Sequence, residues 1–145
     1  EAALELLSEH GISSEVWSFT SYGELRREGL EHERSRRLNP EISEEPYVSK
    51  CFGDETPTVA TSDYICSVPE MIQRWIGGRY IVLGTDGFGR SDTREALRSF
   101  FEIDTNSIVV AAISALEQEG TLPSGTVEKE LEKRNLNKER IDKTE

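Results

Sequence analysis

The sequence predicts an α/β domain with a mainly parallel sheet flanked by helices, and three observations carry that expectation. Strand-like runs alternate with helix-period segments along the chain, the pattern of crossover-connected parallel strands. Arg79-Tyr-Ile-Val-Leu83 is the most continuous apolar run in the sequence, as a strand covered on both faces requires. A glycine-rich turn then leads from that run directly into a helical segment.

The chain has 145 residues, the length of one ordinary domain. We assign residues 1–136 to a single α/β domain and 137–145 to a polar tail. With 35% hydrophobic and 31% charged residues it is polar, yet apolar enough to fold around a core. The net charge of −11 argues against nucleic-acid phosphates or anionic lipid as the main partner. No long apolar run suggests a membrane span and no signal segment is visible, so a cytoplasmic protein is expected.

Glu1 to His10 carries Ala3, Leu4, Leu7 and His10 at helical spacing and stops at Gly11. It begins at full stride, without a capping residue, which suggests a piece of something larger. Glu15 to Thr20 alternates Trp17 and Phe19 with smaller residues and reads as a strand. Ser21 followed by Glu24 has capping-box spacing for a mostly solvated helix from Tyr22 to about Arg37. Glu41 to Pro57, rich in acidic residues and proline, reads as a surface loop. Thr58 to Ser62 is a short strand, Asp63 to Ile76 a helix tolerating Pro69 in an early turn, and Arg79 to Leu83 the central strand. Helices follow at about Thr93–Phe101, Asn106–Glu119 and Val127–Asn135. In the second of these Ile108, Val109, Ala112, Ile113 and Leu116 form the buried face.

The residues that draw attention are Gly84-Thr-Asp-Gly-Phe-Gly-Arg-Ser-Asp92. They lie at the carboxyl end of the best strand, where open α/β sheets place contact and functional loops. Asp86, Gly87, Phe88, Gly89, Arg90, Ser91, Asp92 and Arg94 are the candidate interface residues. The spacing is neither that of a dinucleotide fingerprint nor that of a P-loop. Ser91 or Asp92 is expected to cap the next helix. Asp63 and Asp86, at two strand ends, fit capping better than acid/base chemistry. Five arginines and His32 within residues 26–37 are nearly neutralised by neighbouring glutamates and read as a solvated helix or a contact face. Cys51 and Cys66, with two distant histidines, make no zinc-site spacing and read as reduced thiols. Trp17 and Trp75 are expected in the core or an interface. No catalytic residue, cofactor ligand or metal ligand is assigned.

Taken together, Glu15-Val-Trp-Ser-Phe-Thr-Ser-Tyr-Gly-Glu-Leu-Arg-Arg-Glu-Gly29, Leu38-Asn-Pro40, Ala60-Thr-Ser-Asp-Tyr64 and above all Tyr80 to Arg98 with Phe101-Glu-Ile-Asp104 resemble the C-terminal domain of the homodimeric pyruvate dehydrogenase E1 family. The Gly-Phe-Gly-x-Ser core is also similar to a turn in the transketolase C-terminal domain. Ser35 departs from the pattern, standing where relatives tend to carry an aromatic residue. This resemblance implies a transketolase C-terminal-domain-like fold, here lacking its first strand. It implies that the full chain decarboxylates pyruvate on thiamine diphosphate and Mg²⁺, then transfers the two-carbon unit to the lipoyl group of the dihydrolipoyl acetyltransferase, E2. The expected partners are the rest of the E1 chain, its homodimer mate and E2; this domain would hold no cofactor and, alone, be inactive. The alternatives are a stand-alone interaction domain of the same fold, or another transketolase-like or 2-oxo acid dehydrogenase enzyme.

Overall fold

A computed structural model describes residues 1–136; the expected polar tail lies outside the described residues. Seven α-helices and two strands are formed among these residues: α1 Ala2–His10, α2 Tyr22–Leu38, α3 Tyr47–Phe52, β1 Thr58–Thr61, α4 Ser67–Glu70, β2 Tyr80–Leu83, α5 Arg94–Phe100, α6 Thr105–Gln118 and α7 Thr126–Lys133. A single 3₁₀ turn, Gln73–Trp75, precedes β2.

β1 and β2 pair in parallel, with Thr58 opposite Tyr80 and Thr61 opposite Leu83. A parallel pair needs a crossover, and α4 with the 3₁₀ turn supplies it. The Tyr80 side chain packs in the cluster built on Val48, Ile72 and Trp75. Its hydroxyl donates to the Pro69 carbonyl at 3.0 Å, and burial pushes that hydroxyl above its ordinary pKa. Alternation along the strand sends Ile81 and Leu83 to the opposite face.

The helices divide between two cores. Leu6, Val109 and Ile113 are buried together where α1, α6 and α7 meet, with Leu122 and Val127 against them, and α6 also packs on both strands. The second core joins α2 and α3 to the 3₁₀ turn. At their crossing Gly29 lies on Trp75: a Cβ there would sit 2.5 Å from the indole, so only glycine admits this approach.

Side-chain caps form where helix N–H groups lack partners: Ser21 accepts from Glu24 N, Thr93 from Ala96 N, and Asp104 from Ser107 N. The Ser21 cap agrees with the sequence reading. That of α5 is Thr93 instead of Ser91 or Asp92, because Thr93 alone has its oxygen at the start of the turn; Asp92 accepts from Thr93 N instead.

Several expectations change. Among the described residues Glu15 to Thr20 pairs with no strand; Trp17 and Phe19 instead stack edge-on against Phe52, at 5.2 and 5.5 Å between ring centroids. The two-residue alternation is therefore satisfied by α3, which lies inside the expected loop 41–57. The helix expected over Asp63–Ile76 is reduced to α4 and the 3₁₀ turn, consistent with Pro69 removing a backbone donor inside it. In α1 the buried residue is Leu6, whereas Leu4 and Leu7 are 70% and 54% exposed.

The stretch Arg94–Gln118 is long and apolar enough, by length and composition only, to cross a membrane, a point the sequence reading overlooked. The structure divides it into α5 and α6 at a turn where Glu102 takes φ 57°, and α6 buries Val109, Ile113 and Ala115 against protein.

Candidate functional site

Because β1 and β2 are parallel, the segments leaving them emerge at the same edge of the sheet, and there they are bonded to one another. Ser62 N donates to the Leu83 carbonyl at 3.0 Å, and Thr85 N to the Tyr64 carbonyl at 2.9 Å. Thr85 Oγ1 donates to the Asp63 carbonyl at 2.8 Å, and Cys66 N donates to Asp86 Oδ1 at 3.1 Å. Gly84 is buried in this seam, where a Cβ would stand 2.7 Å from the Tyr64 carbonyl and 3.0 Å from Cys66 Sγ. The base of the loop is thus fixed by four hydrogen bonds and one close approach. Asp86 serves that fixation with one of its carboxylate oxygens, in keeping with the structural role preferred on sequence grounds.

Beyond Asp86 the chain turns outward. Gly87 takes φ 110°, a region that L-residues rarely occupy. Phe88 is 72% exposed at the loop's tip, and Tyr64 and Ile65, on the segment bonded to the loop's base, are 70% and 50% exposed. Three large apolar side chains from the two segments therefore face solvent. Gly89, Arg90, Ser91, Asp92 and Arg94 are all exposed as well.

The two arginines differ. Arg90 folds back over the Phe100 ring, with its guanidinium carbon 4.2 Å from the centroid, a cation–π contact that orders the loop's outgoing limb. Arg94 begins α5, where the positive end of the helix dipole disfavours a cation, and no carboxylate lies within ion-pair distance of it among the described residues. Local stability gives no reason for an arginine at that position.

A second polar site escaped the sequence reading. Arg134 Nε donates to Glu130 at 2.9 Å, Nη1 to Glu5 and Asn106 at 2.7 Å each, and Nη2 to Glu9 at 2.8 Å, joining α1, α6 and the end of α7. Both Arg134 and Glu130 are over 90% buried at the side chain. Burial works against the Arg134 charge, but its bonds to Glu5 and Glu130 outweigh that and hold its pKa above the ordinary value. The hydrogen bond from Lys133 lowers the Glu9 pKa, and the same bond raises that of Lys133. The i,i+4 spacings of Glu5 with Glu9 and of Glu130 with Arg134 were visible in sequence; their meeting across the chain was not. Glu9, His10 and Glu130 come close enough to share a metal ion, but Lys133 and Arg134 already neutralise the two carboxylates.

Comparison with known proteins decides the family. Residues 1–104 match the transketolase-like TK C-terminal domain. The chain belongs to that family. Its α/β architecture, with a small parallel sheet flanked by helices, is the transketolase C-terminal-like fold expected from the sequence. The chain is also similar to pyruvate dehydrogenase E1 components: 42% identical to that of Pseudomonas aeruginosa over 97% of this chain, 44% to that of Mycolicibacterium smegmatis over 83%, and 39% to that of Escherichia coli over 97%. It spans 16%, 13% and 16% of those relatives' lengths, respectively. The loop from Gly84 to Asp92 lies within the part of this transketolase-like domain that matches the family.

Proposed function

We propose that this chain is the C-terminal, non-cofactor-binding domain of a cytoplasmic pyruvate dehydrogenase E1 subunit. Its loop 84–94 packs against the rest of that chain or the homodimer mate. The whole protein then decarboxylates pyruvate and reductively acetylates the lipoyl group of the dihydrolipoyl acetyltransferase, E2. The similarity to pyruvate dehydrogenase E1 components over nearly the whole chain supports the parent activity. The single observation that carries the contact role is the seam that holds Tyr64, Ile65 and Phe88 out at one edge of the sheet. Apolar side chains presented on a fixed base suit docking to another protein surface.

Thiamine diphosphate and Mg²⁺ belong to this reading through the parent enzyme. The loop does not fit them: one carboxylate oxygen of Asp86 is taken by Cys66 N, and the Gly-Asp-Gly…Asn-Asn sequence that marks a thiamine-diphosphate site does not occur in this chain. We therefore place the cofactor outside this domain and route no chemical step through its residues.

The test uses the full-length protein. Supplied with thiamine diphosphate and Mg²⁺, it is expected to release CO₂ from pyruvate and to acetylate a lipoyl domain of E2. Failure to turn over pyruvate, with cofactor bound and the fold intact, overturns the activity.

A further inference from the structure

We propose that α2 carries a second docking site, a groove for an extended acidic peptide segment of another protein with an apolar residue between its carboxylates. This inference goes beyond the domain's place in the parent enzyme and does not depend on it. The groove is shallow, of about 690 Å³, and runs along α2 beside the 3₁₀ turn. Its lining holds five guanidiniums against two carboxylates; Arg27 is paired with Glu24 beside the groove, which leaves a small local excess of positive charge on a chain whose net charge is −11.

The ion pairs within the groove are loose. Arg74 meets Glu33 at 3.4 Å and Arg34 meets Glu31 at 3.8 Å, with all four side chains more than a third exposed. Pairs of this kind contribute little and exchange readily for an incoming carboxylate. Arg26 and Arg37 are exposed, and among the described residues neither has a carboxylate within ion-pair distance. Each is available for bidentate pairing from outside.

Spacing identifies the occupant. At a rise of about 1.5 Å per residue, Leu30 stands about 6 Å along the α2 axis from Arg26, and Arg34 about 12 Å. An extended peptide advances about 6.6 Å for every second residue, so side chains on one face fall at about 0, 6.6 and 13 Å. The matching pattern is acidic, any, apolar, any, acidic, with the carboxylates on Arg26 and Arg34 and the apolar side chain on the part of Leu30 left open, since Leu30 is half-buried and also packs on the core of Val48, Ile72 and Trp75. Arg37, about 16 Å along, takes a further acidic residue beyond the pattern. A small ligand fits less well, because such ligands are normally enclosed on most of their surface and this groove is open and polar.

A labelled peptide with a Glu-Ser-Leu-Ser-Glu core and acidic flanks, titrated by fluorescence anisotropy into the full-length protein, tests the proposal. The expected results are saturable binding that weakens with added salt, a loss of about tenfold or more in the double variant Arg26→Glu/Arg37→Glu, and a clear loss when the peptide's leucine becomes serine. Both arginines are exposed, so circular dichroism of the variant should match the parent's. Absence of binding, equal binding by the double variant, or indifference to the leucine combined with equal competition by inorganic tripolyphosphate would each overturn it. Pyruvate turnover in the same variant, read separately, reports on the parent activity and leaves the two readings distinguishable.

Discussion

Arg134 Nη1 lies 2.7 Å from Glu5 Oε2, a bond between residues 129 positions apart that ties the end of α7 to α1. The same guanidinium holds Glu130, itself 5% exposed, so removing the arginine leaves a buried carboxylate without its main partner. Arg134→Met is expected to destabilise the chain by about 3 kcal/mol in urea unfolding. Adding Glu130→Leu to that variant should recover much of the loss, since the stranded charge is then gone. If the single variant unfolds like the parent, the network contributes nothing.

Gly29 offers a sharper test of packing. An alanine in a helix interior normally gains about 1 kcal/mol over glycine. Here the added methyl would meet the Trp75 indole at 2.5 Å, and overpacking of this kind costs about 1–3 kcal/mol. Net destabilisation with a shifted tryptophan emission is expected for Gly29→Ala; a more stable variant would show that the crossing of α2 over the indole yields easily.

At the loop, Arg90→Ala/Arg94→Ala in the full-length protein should weaken dimer association in sedimentation, or lower turnover several-fold, while thiamine diphosphate still binds. Phe88→Asp should act in the same direction, by placing a charge in the middle of the apolar group. Unchanged dimer affinity and turnover in both variants would remove the contact role.

The pH dependence has a defined sign at Glu117. Its carboxylate accepts from Val127 N at 2.7 Å and Gly125 N at 2.9 Å, and these bonds lower its pKa from the ordinary carboxylate value. A carboxylate whose folded pKa is depressed contributes stability that is present above the unfolded value and lost as pH falls through the folded one. The stability gap between the parent chain and Glu117→Gln should therefore be widest near neutrality and close in acid, as pH falls below the ordinary carboxylate range. A gap independent of pH would mean that the amide serves the α6–α7 turn as well as the carboxylate does.

Much of the architecture was legible because local chemistry and tertiary context agree in those segments. Tyr80 to Leu83 is apolar throughout and becomes a strand; Ser21 with Glu24 has capping spacing and Ser21 caps α2. The reading failed where one local pattern has two solutions. Alternation at Trp17 and Phe19 implied a sheet, yet an aromatic stack on Phe52 satisfies the same alternation. Leu4, Leu6 and Leu7 all lie within reach of a helical stripe, and the position of α6 selects Leu6. The loop itself could be located from its glycines and the strand before it. Its fixed base could not, since the bond from Cys66 to Asp86 joins residues 20 apart that share no pattern.

The docking of α1 on α6 and α7 also orders events during synthesis. α1 is among the first segments of this stretch to leave the ribosome, yet the arginine that binds Glu5 and Glu9 follows it by more than a hundred residues. At about 5–20 residues per second that interval is roughly 6–25 s. Through it α1 has no α7 to close over it, and Leu6 lacks part of the apolar surroundings that bury it in the finished domain.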